Sequence, residues 1–294
     1  MQQETIERDC DLCGSSERKL ITVENDYPIS KCSQCGFVYV SRIPIVEDGK
    51  VLGEYYSGDE NEIDANKKRY AAVTEFLLDE IGKLKCPGKL LDLGCGYGFF
   101  LAKARDAGWE VYGTDLSEIA VEYVQKHHGI SNVECAELSN ALFHGVKFDA
   151  INLTNVLEHV PSPTEVLRAC YERLNAGGIL VVRVPNMDFN EIKLRVLPVS
   201  KILGFGKGGE MSYLASPPPV HLCGFSGRTL ERCFAKCGMQ IVTIKPSKLS
   251  GFVEEKSLFR VFEPFAGSLY RLSLRKINVS PTILAIAVRT TSSV

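Results

Sequence analysis

The sequence predicts an α/β fold, a parallel sheet covered by helices on both faces, with a small cysteine-paired segment ahead of it. Three observations predict it. From residue 89 onward, apolar strands alternate with amphipathic helices. The first of those strands runs into a glycine-rich turn, "DLGCGYG", at residues 92–98. Near the N-terminus, Cys10/Cys13 and Cys32/Cys35 form two Cys-x2-Cys pairs.

Residues 1–45 carry the paired cysteines and two short β-prone pieces, "KLITV" and "FVYV". They are too few to build a sizeable core without a staple. Residues 46–88 read as a connector and a helix. In that helix Val73, Phe76, Leu77, Ile81 and Leu84 recur at helical spacing, and "CPGK" stops it. Residues 89–294 form the main domain. "KLLDLG" is a continuous apolar strand, and "FFLAKARDAG" is a helix closed by Gly108. "WEVYGTD" is the second strand. "SEIAVEYVQKHHG" is a helix with Ser117 as N-cap and Gly129 as its stop. "NVEC" and "FDAINLT" are the third and fourth strands. "SPTEVLRACYERLNAGG" is a helix with an expected capping box of Ser162 and Glu165 around Pro163. "ILVVRVP" is the fifth strand. Residues 186–220 break the rhythm with a short helix and a Gly/Pro-rich run, the expected lid. "SGRTLERCFAKCG" is a helix, and "MQIVTIK" and "PTILAIAVR" are the closing strands.

An open parallel sheet binds ligands at the carboxyl ends of its strands, where "DLGCGYG" lies. The spacing is G-x-G-x-G, not the dinucleotide G-x-G-x-x-G. Asp92 precedes the glycines, and a carboxylate there suits a cationic group rather than a phosphate. Asp115 ends the second strand, where an acid accepts hydrogen bonds from ribose hydroxyls. A ligand with a ribose and a positive charge fits both acids, and S-adenosylmethionine has these features.

On these residues the chain resembles the class I S-adenosylmethionine-dependent methyltransferases. "LLDLGCGYGFFL", "VYGTDLS", "FDAINLTNVLEHVPSP" and "LNAGGILVVRVPN" match four of their motifs in order, over roughly residues 70–245. Ala176 stands where that family usually has proline. The resemblance implies a Rossmann-like seven-stranded sheet, mostly parallel with an antiparallel last strand. It further implies that Gly94, Gly96 and Gly98 line the methionine moiety with Asp92 near its ammonium. Asp115 would bind the ribose, Leu116 pack on adenine and Asn155 border the cofactor. Glu137 is the nearest acid to the family's adenine-amino position. The G-x-G-x-G spacing and Asp92 disfavour the alternative of a nicotinamide-dependent oxidoreductase. The intact acids and glycines disfavour a non-catalytic binding protein on a decayed domain.

The two cysteine pairs are separated by 18 residues, within the C-x2-C-x15–20-C-x2-C zinc pattern. Cys10, Cys13, Cys32 and Cys35 would close a structural tetrahedral site, with zinc expected and iron the rival. A zinc ribbon before such a domain is also similar to bacterial enzymes that methylate sugars and other small metabolites. In them the N-terminal segment helps cover the substrate.

Methyl transfer to a hydroxyl or a carbon acid calls for a base. His159, after the fourth strand, and His221, after the lid, are the candidates, with Glu158 placed to orient either. Tyr55, Tyr56 and Arg69 are further candidates at the cofactor. His127 and His128 read as a helix C-terminus favoured by its dipole.

Composition bounds the partners. Lys+Arg of 34 against Asp+Glu of 36 gives a net charge of −2, so no nucleic-acid footprint is expected. No run approaches the roughly 18 apolar residues of a membrane span. Eleven cysteines and a polar beginning predict a reducing, cytoplasmic setting. A small-molecule substrate is expected, and the oligomeric state is not legible.

Overall fold

The computed structural model describes residues 5–44, 56–137, 142–202, 212–248, 267–270, 272–273 and 278–290. Tyr55 lies outside the described residues, as do parts of the connector and of the expected lid.

The main sheet has seven strands: β6 (Lys89–Leu93), β7 (Glu110–Asp115), β8 (Val133–Cys135), β9 (Phe148–Thr154), β10 (Leu174–Pro185), β12 (Met239–Pro246) and β13 (Thr282–Arg289). Their order is β12-β13-β10-β9-β6-β7-β8. β13, the last in chain order, runs antiparallel to β10 and β12, and the β6–β10 pairs are parallel. The chain moves outward from β6 through β7 to β8, then crosses back to place β9 on the other side of β6. That reversal opens a crevice at the carboxyl ends of β6 and β9.

The central strands β6, β9, β10 and β13 are mostly apolar because they bury both faces. Leu91, Leu93, Ile151, Leu153, Leu180 and Val182 point into one core. Their neighbours Leu90, Ala150, Ile179 and Val181 point into the other. The second core is closed by α1 (Glu60–Gly82), α2 (Phe99–Asp106) and α3 (Glu118–Tyr123). In α1, Val73, Leu77 and Ile81 are buried, whereas Leu84 lies past its end and is exposed. Asp59 caps α1 by accepting from the amides of Asn61 and Glu62.

The first core is closed by α4 (Pro163–Arg173) and α6 (Gly227–Lys236), and by the N-terminal segment. There β2 (Arg18–Glu24), β3 (Tyr27–Cys32) and β4 (Val38–Val40) form an antiparallel meander, and β1 (Thr5–Glu7) pairs with β5 (Arg42–Pro44). Asn25 and Asp26 turn the β2–β3 hairpin, both at positive φ. A fourth strand, β11 (Cys223–Gly224), joins the meander beside β4. Phe37 and Tyr39 of this ribbon pack with Phe225 and the sheet in one core. α5 (Met187–Ile202) follows β10, and is longer than the short helix expected there.

The capping box expected at α4 does not form. Ser162 makes no side-chain cap bond. Asp11 of the ribbon caps instead, accepting from the Thr164 amide at 2.9 Å and the Thr164 hydroxyl at 3.0 Å. A carboxylate is a stronger acceptor than a serine hydroxyl at the positive end of a helix.

Candidate active site

The glycine turn leaves β6 at the crevice. Gly94 (φ 73°) and Gly96 (φ 51°) both occupy the left-handed region that glycine tolerates. A Cβ on Gly94 would stand 2.7 Å from Val156 Cγ2, and one on Gly96 2.6 Å from the Tyr56 hydroxyl. The turn is tight because Thr114 O accepts the amides of both Gly94 and Cys95, at 2.8 and 2.9 Å. Gly98 then caps α2 in the same left-handed region.

Two carboxylates flank this turn, Asp92 buried and Asp115 half-buried. Asp115 ends β7 and accepts the Gly96 amide at 2.8 Å and the Ser117 amide at 3.0 Å. Burial raises its pKa, against the pull of those amides. Asp92, one residue from the end of β6, is 4% exposed and accepts from Asn152 Nδ2 at 2.7 Å. Burial pushes it up to about 8, and the nearby Asp115 charge adds to the shift. Two acids of this kind suit a ligand bearing a positive charge and hydroxyl donors.

Around them, Leu116 is half-buried after β7, and Glu137 is exposed beyond β8. Asn155, just past β9, holds φ 56°. Its amide donates to Arg183 O at 2.8 Å, and its side chain meets Tyr70 of α1 at 3.2 Å and Arg183 Nη1 at 2.6 Å. Arg69 is half-buried beside Tyr70. Tyr56 meets Tyr97 edge-on at 4.8 Å, and burial raises its phenol. His128 bonds Tyr97 O at 3.0 Å, and burial lowers its pKa. That ring closes the helix but turns inward onto Tyr97.

The second cluster brings together Glu158, His159 and His221, their ligating atoms all within 4.8 Å of one another. Glu158 and His159 lie in the turn after β9, two and three residues beyond the Val156 that touches Gly94. His159 Nδ1 donates to Val220 O at 2.6 Å, which leaves Nε2 as the lone-pair nitrogen. That Nε2 lies 4.0 Å from Glu158 Oε1. His221 Nδ1 accepts from the Ser216 amide at 3.1 Å, so its Nε2 carries the proton. The two rings stand edge-to-face at 4.9 Å. Burial lowers the pKa of both, His221 to about 3 with His159 as the second cause. Burial also lifts Glu158 to about 8, and its Oε2 has no hydrogen-bond partner.

Cys10, Cys13, Cys32 and Cys35 converge with all four sulfurs within 4.8 Å. Cys10 and Cys35 sulfurs are 3.4 Å apart, and Cys13 and Cys32 sulfurs 3.5 Å, so none is disulfide-bonded. A tetrahedron with Zn–S bonds near 2.3 Å has edges of roughly 3.8 Å, close to these separations. Burial raises the thiol pKa of Cys10 and Cys35, the latter to about 11. A bound cation is what would convert such thiols to thiolates.

The sequence reading missed Asn152, Tyr70 and Arg183. A polar residue inside an apolar strand, as in "FDAINLT" and "ILVVRVP", was the available signal.

Residues 64–244 match the family described as "Methyltransferase domain". A ubiquinone biosynthesis O-methyltransferase of Azoarcus sp. is 29% identical over 53% of this chain and 66% of its own length. The chain thus spans just under two thirds of that relative. Among solved structures, a SAM-dependent methyltransferase from Archaeoglobus fulgidus superposes with TM-score 0.51 at 20% identity, covering 78% of this chain and 100% of its own. One from Clostridium acetobutylicum gives 0.51 at 11% identity, covering 79% and 99%. At those identities the likeness is one of fold. Among the described residues, no helix is long and apolar enough to cross a membrane.

Proposed function

The chain belongs to the class I methyltransferase family, and from that premise we propose that it moves a methyl group from S-adenosylmethionine to an oxygen of a small molecule, a sugar or another biosynthetic intermediate. One observation carries the reading. The half-buried Asp115 and the buried Asp92 flank a left-handed glycine turn at the switch point of the sheet, with Asp115 bonded to that turn. Similarity to O-methyltransferases supports oxygen as the acceptor atom.

S-adenosylmethionine, when bound, supplies the methyl group as an electrophilic sulfonium substituent. Asp92 would face its ammonium and Asp115 its ribose hydroxyls, with Gly94, Gly96 and Gly98 allowing close backbone approach. Leu116 would pack on the adenine, Glu137 would reach towards its amino group, and Asn155 would border the methionine end. The chain contributes alignment and a dry site more than covalent chemistry.

His159 takes the acceptor's proton at Nε2, because its Nδ1 hydrogen is committed to Val220 O. His221 is the opposite tautomer and donates from Nε2, so it orients an acceptor oxygen rather than deprotonating it. Glu158 Oε1 stands 4.0 Å from His159 Nε2, placed to orient that ring. Cys10, Cys13, Cys32 and Cys35 would hold zinc and supply a structural staple for the ribbon.

Calorimetry with S-adenosylmethionine, S-adenosylhomocysteine and NAD tests the reading. Saturable binding of the first two and none of NAD is expected. Binding of NAD alone would overturn it.

A further inference from the structure

The segment that carries His221 is held chiefly by the ribbon. Glu24, at the end of β2, accepts from the Ser212 hydroxyl at 2.6 Å and the Tyr213 amide at 2.7 Å. Asn25, at the hairpin tip, donates to Pro218 O at 2.7 Å. The Val40 amide of β4 donates to Leu222 O at 2.9 Å. Immediately beyond, β11 pairs with β4, Cys223 opposite Tyr39 and Gly224 opposite Val38. Residues 212–224 thus meet the ribbon at both ends and in the middle.

The other edge of the same segment faces the catalytic turn. The amides of Leu222 and Cys223 both donate to Glu158 O, at 2.7 and 3.1 Å. Val220 O takes the His159 Nδ1 hydrogen. Residues 220–223 are therefore a strip clamped between ribbon strand β4 and the Glu158–His159 turn. His221 sits within that strip, its ring 7% exposed and edge-on to His159.

The ribbon's own shape depends on its four cysteines. Cys32 accepts the Gly36 amide and donates its own amide to Phe37 O, which sets where β4 begins. Cys35 O accepts from Arg232 of α6 at 3.1 Å, and Asp11, between Cys10 and Cys13, caps α4. Beside the cysteines, β4 is held by pairing with β3 and β11 and by the burial of Val38, Tyr39 and Val40, which is little for so small a sheet.

We infer that the four-cysteine ribbon is a positioning element for the catalytic cluster: metal held by Cys10, Cys13, Cys32 and Cys35 fixes β4, and β4 fixes His221 against His159. This rests on the reading of His159 as the base and His221 as the donor that orients the acceptor. The cofactor turn has its own braces, because Gly94, Asp92 and Asp115 are held by β7, β9 and backbone amides. The metal ion therefore acts on turnover through geometry, while cofactor binding is left alone.

The test uses the full chain with histidine rings labelled with nitrogen-15, its metal content measured before and after removal by a chelator under reducing conditions. Metal removal should shift the His159 and His221 ring resonances and lower kcat roughly tenfold or more, while the affinity for S-adenosylhomocysteine stays the same. Adding zinc back should restore both. Unshifted ring resonances after proven metal loss would overturn the inference. A second variant guards against wholesale unfolding. Val40→Pro removes the amide that reaches Leu222 but keeps all four cysteines, so it should retain metal and still shift the His221 ring. An unshifted ring in that variant would refute coupling through β4. If the resonances shift in both cases while His159→Gln leaves kcat intact, the coupling stands and the acid–base assignment is what fails.

Discussion

The Asp115 carboxylate accepts the Gly96 amide at 2.8 Å, so the acid that ends β7 braces the turn that ends β6. A single side chain thereby sets both a ribose-facing acceptor and the backbone shape beside it.

Replacing Asp115 with alanine removes the acceptor and frees the turn. Affinity for S-adenosylmethionine should fall by about 1–3 kcal/mol through lost hydrogen bonds. Asp115→Asn keeps one carbonyl oxygen for Gly96 and should lose less. Calorimetry on both variants checks this, and unchanged affinity in Asp115→Ala removes Asp115 from the site.

Asp92 predicts a proton signature. Burial holds it near 8, so it is protonated in the free chain at neutral pH. A bound ammonium favours its carboxylate form, so cofactor binding should release a proton. Affinity should accordingly rise with pH and level off above about 8. The stability sign is consistent. A carboxyl raised in the folded state contributes stability that is full below its ordinary value of 3.8 and lost as pH rises through about 8. Stabilisation by S-adenosylhomocysteine should therefore grow across that window. Binding heats in two buffers of different ionisation enthalpy measure the proton. Heats independent of buffer would exclude the release, and Asp92→Asn should abolish it.

His159 predicts the pH dependence of turnover. Burial lowers its pKa below the ordinary 6.5, so the ring is neutral and able to accept a proton at neutral pH. The rate should be full above that lowered value and fall as pH drops through it. His159→Gln should reduce kcat by roughly 10²–10⁴-fold and remove that acid limb, while leaving the affinity for S-adenosylhomocysteine intact. A variant with normal kcat and the same limb would show that another group titrates.

How much of this was legible follows from how local each signal is. The β6, β9 and β10 strands stood out because they are largely apolar on both faces, and the loop because glycines alternate immediately after one of them. Asp92 and Asp115 were readable because strand ends and turns sit next to each other in sequence. The Asp11 cap on α4 was not readable, because its partner Thr164 lies 153 residues away. β11 is only two residues long and gains its identity from β4, so no periodicity could announce it. The opposite tautomers of His159 and His221 depend on backbone groups of Val220 and Ser216, which only the folded chain brings into place. The bond from the His128 ring to Tyr97 O was not legible either, because a helix end gives no sign of which neighbour its ring will meet.

Arg183 makes the sharpest test of the buried polar framework. It is 1% exposed within β10. Its guanidinium donates to Ser247 Oγ at 3.1 Å, Asn155 Oδ1 at 2.6 Å and Lys248 O at 3.0 Å. Burial lowers its pKa, so these acceptors are what keep the charge tolerable there. Arg183→Met fills similar volume but strips three acceptors of their donor. About 2–4 kcal/mol of stability should be lost, as expected for breaking a buried charge-assisted network. Asn155 would also lose the contact that holds it at φ 56°, a conformation uncommon outside glycine. Because Asn155 borders the proposed cofactor site, S-adenosylhomocysteine affinity should fall alongside the melting temperature. Calorimetric unfolding and binding on the same variant separate the two effects. A lowered melting temperature with full affinity would confine Arg183 to holding the sheet, and would remove Asn155 from the cofactor's border.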